Sequence, residues 1–176
     1  MKAFSETERE LDKFAEGVVK AAKMNLQKSK ASGGLSDSVR YELKTTKQKG
    51  GFISSFRLQF YFDEYGEYQD KGVDGTKKKH GSPYKYTNKR PPASAFSKWV
   101  VMKGLDGVRN KKGQFIKRKS MQFAIATSVY RNGIKPTRWF TKAFDSKYKK
   151  LDKVQKAFAL DYEKFLASTL QENGNN

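Results

Sequence analysis

Leu11, Phe14, Val18, Ala21, Ala22 and Leu26 recur every three or four residues, the spacing that gathers apolar side chains on one face of a helix. That helix is predicted to run from Ser5 to about Lys30. Ser5 and Glu8 form a capping-box pattern at its start, and Gly33-Gly34 ends it. The period then drops to two. Val39, Tyr41 and Leu43 alternate with polar neighbours, and a turn at Lys49-Gly50-Gly51 leads into a second alternating run over 52–62. There Phe56, Leu58, Phe60 and Phe62 share one face while Arg57, Gln59 and Tyr61 share the other. The pattern predicts an antiparallel hairpin with an aromatic face, which the N-terminal helix is expected to cover.

Helical spacing returns in the second half. Pro91-Pro92 precedes Phe96, Trp99, Val100 and Lys103, with Gly104 just beyond, the usual asymmetry of proline before a helix and glycine after it. "GVRNKKGQFIKRKS" reads as a basic hairpin or extended loop with turn points at Gly107 and Gly113. Ser120 opens a helix carrying Phe123, Ile125, Ala126 and Val129, closed by Asn132-Gly133. Pro136-Thr137 opens another with Trp139, Phe140, Ala143 and Phe144. A last helix over 148–170 shows Leu151, Val154, Phe158, Tyr162, Phe165 and Leu170 on one side. The expected fold is α+β: an N-terminal helix packed on a small antiparallel sheet, followed by several C-terminal helices. One domain over 1–170 is expected, with a basic loop-rich insertion at about 77–119 and a disordered tail at 171–176.

Charge changes this picture. The chain carries 37 Lys and Arg against 18 Asp and Glu, a net +19. Residues 77–119 hold fourteen of the cations and a single acid, Asp106, so +13 is concentrated there. Such a field favours polyanionic partners and opposes self-association at low salt. The apolar fraction is a modest 36%, so the core is expected to be small, with part of the surface completed by neighbours. Without cysteine, neither a disulfide nor a thiolate metal site is possible. The sequence shows no apolar run long enough to cross a membrane and no signal-peptide core at its N-terminus.

Candidate chemistry is thin. His80 is the one histidine, and it stands among lysines in a loop, which is the setting of an ordinary surface residue. Asp63, Glu64, Glu67, Asp70 and Asp74 crowd around Lys71, and Glu42-Leu43-Lys44 has an acid-x-lysine spacing with Asp37 upstream. A magnesium-dependent nuclease needs such convergent carboxylates, but Glu42 and Lys44 fall on the polar face of their strand. Gly66, Gly72, Gly75 and Gly81 lack phosphate-loop spacing and read as turn glycines. No catalytic residue, metal site or cofactor is assigned. Nucleic-acid binding competes more strongly. Lys77, Lys78, Lys79, Lys85, Lys89 and Arg90 surround Tyr84 and Tyr86, and Arg109, Lys111, Lys112, Lys117, Arg118 and Lys119 form a second cluster. Lysines outnumber arginines, which suits diffuse contact with phosphates or an acidic partner, not base reading.

The order of several short motifs resembles the tail-completion and head–tail joining proteins of tailed bacteriophages. The residues are Gly34-Leu35-Ser36-Asp37-Ser38 at the strand entry, Tyr68-Gln69-Asp70-Lys71-Gly72 with Gly75-Thr76 after the hairpin, and Gly133, Pro136, Arg138, Trp139 and Phe140 before the last helix. The likeness spans about 14–165. It departs from the family in the Gly-Val-Asp-Gly-Thr ending of the turn and in the long basic stretch 77–119. It implies a non-enzymatic structural virion protein, made in the bacterial cytoplasm and forming a homo-oligomeric ring at the portal–tail junction. Implied partners are other neck, portal-adaptor or tail proteins, with contact to packaged DNA and none with a membrane. On that reading Tyr65, Tyr68, Asp70, Lys71, Gly72 and Thr76 shape one interface, and Arg138, Trp139 and Phe140 shape another or anchor its support. The alternatives are a nonspecific nucleic-acid-binding protein and a metal-dependent nuclease.

Overall fold

In a computed structural model, residues 4–28, 33–47 and 53–174 are described. The chain divides into two compact units, one made of Met1–Glu64 with Trp139–Asn176 and the other of Tyr65–Arg138. The sequence predicts one domain with a basic insertion at about 77–119. The second unit is wider than that insertion and includes the residues on both sides of it.

The first unit is built on α1, Ser5–Lys28, whose Ala15, Val18, Ala22 and Leu26 are buried at helical spacing. The capping box does not form as expected. Glu8 instead accepts a hydrogen bond from the Thr45 hydroxyl at 2.9 Å, so the carboxylate ties helix to sheet. Gly33 does not terminate α1 but opens a short helix α2, Gly33–Ser38, which buries Leu35. Strands β1, Arg40–Lys47, and β2, Ile53–Tyr61, pair antiparallel, with Tyr41 opposite Phe60 and Leu43 opposite Leu58. The turn expected at 49–51 lies outside the described residues, as does Phe52. Alternation holds: Phe56, Leu58 and Phe60 are partly covered while Arg57 and Gln59 are exposed.

Two helices share the covering of that aromatic face. Tyr41 and Thr45 reach Asp12 and Glu8 of α1. Phe60 meets Phe140 and Phe144 edge-on at 5.5 and 6.2 Å, both on α6, Trp139–Tyr148. Trp139 is 1% exposed and sits with Ala22, Leu26, Leu35, Val39 and Ala143 in the main core. The last helix, α7, is Asp152–Gly174 and so continues past the tail expected from 171. It buries Ala157 and Asp161, while Phe158, Tyr162 and Leu170 of the predicted stripe stay exposed. Asp161 is satisfied across the core by the backbone N–H and the hydroxyl of Thr7, both at 2.8 Å.

The second unit begins with α3, Tyr65–Lys71, where the sequence suggested only a turn. A single-turn 3-10 helix, Ala93–Phe96, runs into α4, Ser97–Met102, which ends at a left-handed Gly104. A small hairpin follows, paired at Arg109 and Phe115, and then α5, Arg118–Asn132. The helix expected from Pro136 starts three residues later, because Ile134, Thr137 and Arg138 give their backbone N–H groups to α3 and the residues after it, and Arg138 takes a positive φ of 54°.

Candidate functional site

Within the second unit, stretches about sixty residues apart in sequence form one knot. Gly72 ends α3 at φ +74°. Val73 and Ile134 then exchange two backbone hydrogen bonds of 2.8 Å. The Thr137 backbone N–H and hydroxyl both donate to the Gln69 carbonyl, and the Arg138 N–H donates to that of Asp70. Gly75 and Gly133 pass back to back. A Cβ on Gly75 would lie 2.2 Å from the Arg131 carbonyl oxygen, and one on Gly133 would lie 2.1 Å from that of Val73. Here the absent side chain is what permits the crossing.

From this knot the loop 74–86 is folded by the Asp74 carboxylate. Its Oδ1 accepts the backbone N–H of His80 at 2.6 Å and that of Ser82 at 3.2 Å. These bonds, that of His80 first, hold the carboxyl below its ordinary range. The Ser82 hydroxyl donates to the Gly72 carbonyl and accepts from the Tyr84 N–H. Asp74 also donates to the Tyr84 carbonyl and accepts from the Tyr86 N–H, so both tyrosines are placed by one residue. His80 is a tie in the same structure, its Nε2–H donating to the Asn132 carbonyl at 2.8 Å.

The result is a groove of about 870 Å³ lined by Tyr65, Tyr68, Tyr84, Tyr86, Phe96 and Trp99, together with Val73, Ile125, Val129, Ile134 and Lys85. Tyr68 and Tyr84 meet edge-on at 4.7 Å. Lys71 donates to Glu67 at 2.7 Å, and this bond together with one from Tyr84 holds the Glu67 carboxyl down. The same bond to Glu67 raises the Tyr84 hydroxyl, and burial raises that of Tyr86. Tyr65, Tyr68 and Trp99 are 40–44% exposed, a high value for rings of that size. Sequence reasoning found the tyrosines but assigned Phe96 and Trp99 to an ordinary helix face. The convergence of α3, α4 and α5 around a groove leaves no local signal.

The cations expected to meet phosphates or an acidic partner lie at the surface of this unit. Lys77, Lys78, Lys79, Lys85, Lys89, Arg90, Arg109, Lys111, Lys112, Lys117, Arg118 and Lys119 are all exposed. Among the described residues none of them forms an ion pair. Three arginines are nevertheless fixed in place. Arg90 lies over the Phe123 ring at 3.9 Å, Arg109 over the Phe115 ring at 4.0 Å, and Arg118 donates to the carbonyl and hydroxyl of Ser97.

The other expected interface residues separate into two groups. Tyr65, Tyr68, Lys71 and Thr76 are exposed, whereas Asp70 and Gly72 are buried. Arg138 is exposed at φ +54°, but Trp139 and Phe140 belong to the core of the first unit, where they support the fold. The carboxylates weighed for a nuclease are spread among different tasks. Glu67 pairs with Lys71, Asp74 folds its loop, and Glu42 pairs with Lys44 on the exposed strand face at 3.2 Å. Among the described residues no three His, Cys, Asp or Glu side chains are grouped so as to hold a metal ion. None of the helices described is long and apolar enough to cross a membrane.

Compared with models of protein families, with curated proteins and with solved structures, the chain matches none.

Proposed function

We propose that this protein is a structural subunit of a tailed-phage neck, a head–tail connector or tail-completion protein working as a homo-oligomeric ring. One observation carries the reading. The unit Tyr65–Arg138 buries only Val73, Val100 and Ala126 among its apolar side chains, yet leaves Tyr65, Tyr68, Trp99 and Met102 exposed around or near an aromatic groove. A unit so short of core and so rich in open aromatic surface is suited to being completed by another chain, since aromatic side chains dominate the centres of protein interfaces. Two of the three motifs that carry the resemblance, 68–76 and 133–140, contribute the residues of the knot beside this groove. Rigid support and an open groove serve mechanical joining, in which a segment of a neighbouring copy or neck protein seats among the rings.

Imaging of purified particles with the protein labelled tests this. The label is expected at the portal–tail junction, and particles without it there would overturn the reading. Replacing Tyr68 and Trp99 together by Ser is expected to weaken incorporation by about thirty-fold, corresponding to about 2 kcal/mol for loss of a central aromatic contact. Tailless heads should then accumulate.

A further inference from the structure

We infer that the hairpin 108–116 and the start of α5 form a sequence-independent binding surface for duplex DNA. Residues 109–119 contain six cations, Arg109, Lys111, Lys112, Lys117, Arg118 and Lys119, and no acid. All six are exposed, and among the described residues none has an ionic partner. The segment is not a loose charged loop. The Ile116 N–H donates to the Val108 carbonyl and the Asn110 N–H to that of Gln114, both within 2.9 Å. The Asn110 side-chain oxygen takes the N–H groups of Lys112 and Gln114, closing the turn that presents Lys111 and Lys112.

Phe115 gives the strongest indication. It is 63% exposed, which is costly for a phenyl ring in water. Its cross-strand partner Arg109 holds its guanidinium over the ring, 4.0 Å from the centroid, and donates to the Gly113 carbonyl at 2.9 Å. The ring therefore acts as a prop that holds a guanidinium in place, and Arg118 is held likewise by Ser97. A pre-positioned planar guanidinium matches a phosphate through paired N–H bonds, with less ordering cost than a free side chain. Lysines at the turn supply point charges, which suits a repeating backbone of phosphates and carries no base information. An acidic protein surface is the competing partner. Cations presented over eleven successive residues without one acid suit a uniform polyanion better than a protein surface, where charges of both signs alternate.

The test is fluorescence anisotropy of the full-length protein with two labelled 30-base-pair duplexes of unrelated sequence. Both are expected to bind alike, with affinity falling about a thousand-fold between 50 and 200 mM salt, as five or six phosphate contacts require. The double variant Lys111→Glu/Lys112→Glu, both at exposed turn positions, should weaken binding at least tenfold and flatten the salt slope by about 2. Phe115→Ala leaves the charge untouched but releases Arg109, and should weaken binding several-fold. Circular dichroism of each variant should match the parent. No binding at 50 mM salt, or unchanged affinity in the double variant, would overturn the surface. Unchanged affinity in Phe115→Ala would overturn the role of the ring. Equal displacement of DNA by poly-glutamate of matched charge would assign the surface to an acidic protein instead. Particle imaging tests the neck assignment separately, so either proposal can fail without the other.

Discussion

Gly75 and Gly133 show what one missing side chain does for this fold. The sequence marks Gly75 as a turn residue and Gly133 as a helix terminator. Gly133 does end α5, at φ +71°. Neither role reveals that the two backbones cross within a side chain's radius. Gly133→Ala meets both penalties, a left-handed backbone and a collision with backbone atoms that cannot rotate away. It should lose more than about 1 kcal/mol, measured by urea unfolding. Gly113→Ala is the matched control, with φ +78° but open space around it, and should lose only the conformational part. Asp161 was equally hidden from the sequence. A carboxylate midway along α7 reads as solvent-facing until Thr7, 154 positions earlier, is seen donating to it twice.

At the scale of elements, α5 and α7 were legible as helices but not in the faces they use. In α7, adjacent rows of apolar residues were available, and the heavier one, Phe158 with Tyr162, was the natural choice for the core. Packing instead selects Ala157 and Asp161, a small residue that permits close approach and an acid with a partner. In α5, Lys117, Arg118 and Lys119 crowd the positive end of the helix dipole. The first turn has no acid and no side-chain cap there. Cations at that end oppose the dipole, so local helix stability did not dictate them. Lys119→Glu should therefore raise the melting temperature, by the equivalent of about 0.5–1 kcal/mol. The same change should weaken DNA binding, and a scan with a parallel anisotropy titration reads both. A gain in stability together with a loss in binding is expected of a surface selected for a partner.

The whole molecule divides its resources unevenly. The first unit holds most of the buried apolar side chains, including Trp139, Leu26, Leu35 and Val39. The second holds eighteen of the cations against four acids, a net +14, around a sparse core. Few buried contacts and strong self-repulsion both lower the cost of local opening. Limited proteolysis with chymotrypsin should cut first within 65–138, and hydrogen exchange there should be faster than in α1 or α6. Raising salt should slow both by screening the repulsion. Uniform protection across the two units would contradict this division.

Periodicity in the sequence determined the kinds of element in this protein. Hydrophobic spacing near four or at two is a local property, readable wherever one face is buried, and it located α1, the hairpin and the later helices. The sequence also located the charge, because counting cations requires no coordinates. Only the tertiary structure decided which faces are used and which distant stretches meet. The α3 helix at 65–71, the late start of α6, the knot of 69–76 with 133–138 and the groove beside it all depend on partners far along the chain. The aromatic residues illustrate the difference most plainly. Trp139 and Trp99 look alike in sequence, each beside apolar neighbours at helical spacing, yet one is sealed in a core and the other faces an open groove. What separates them is whether another part of the same chain arrives to cover the ring, and no local pattern encodes that.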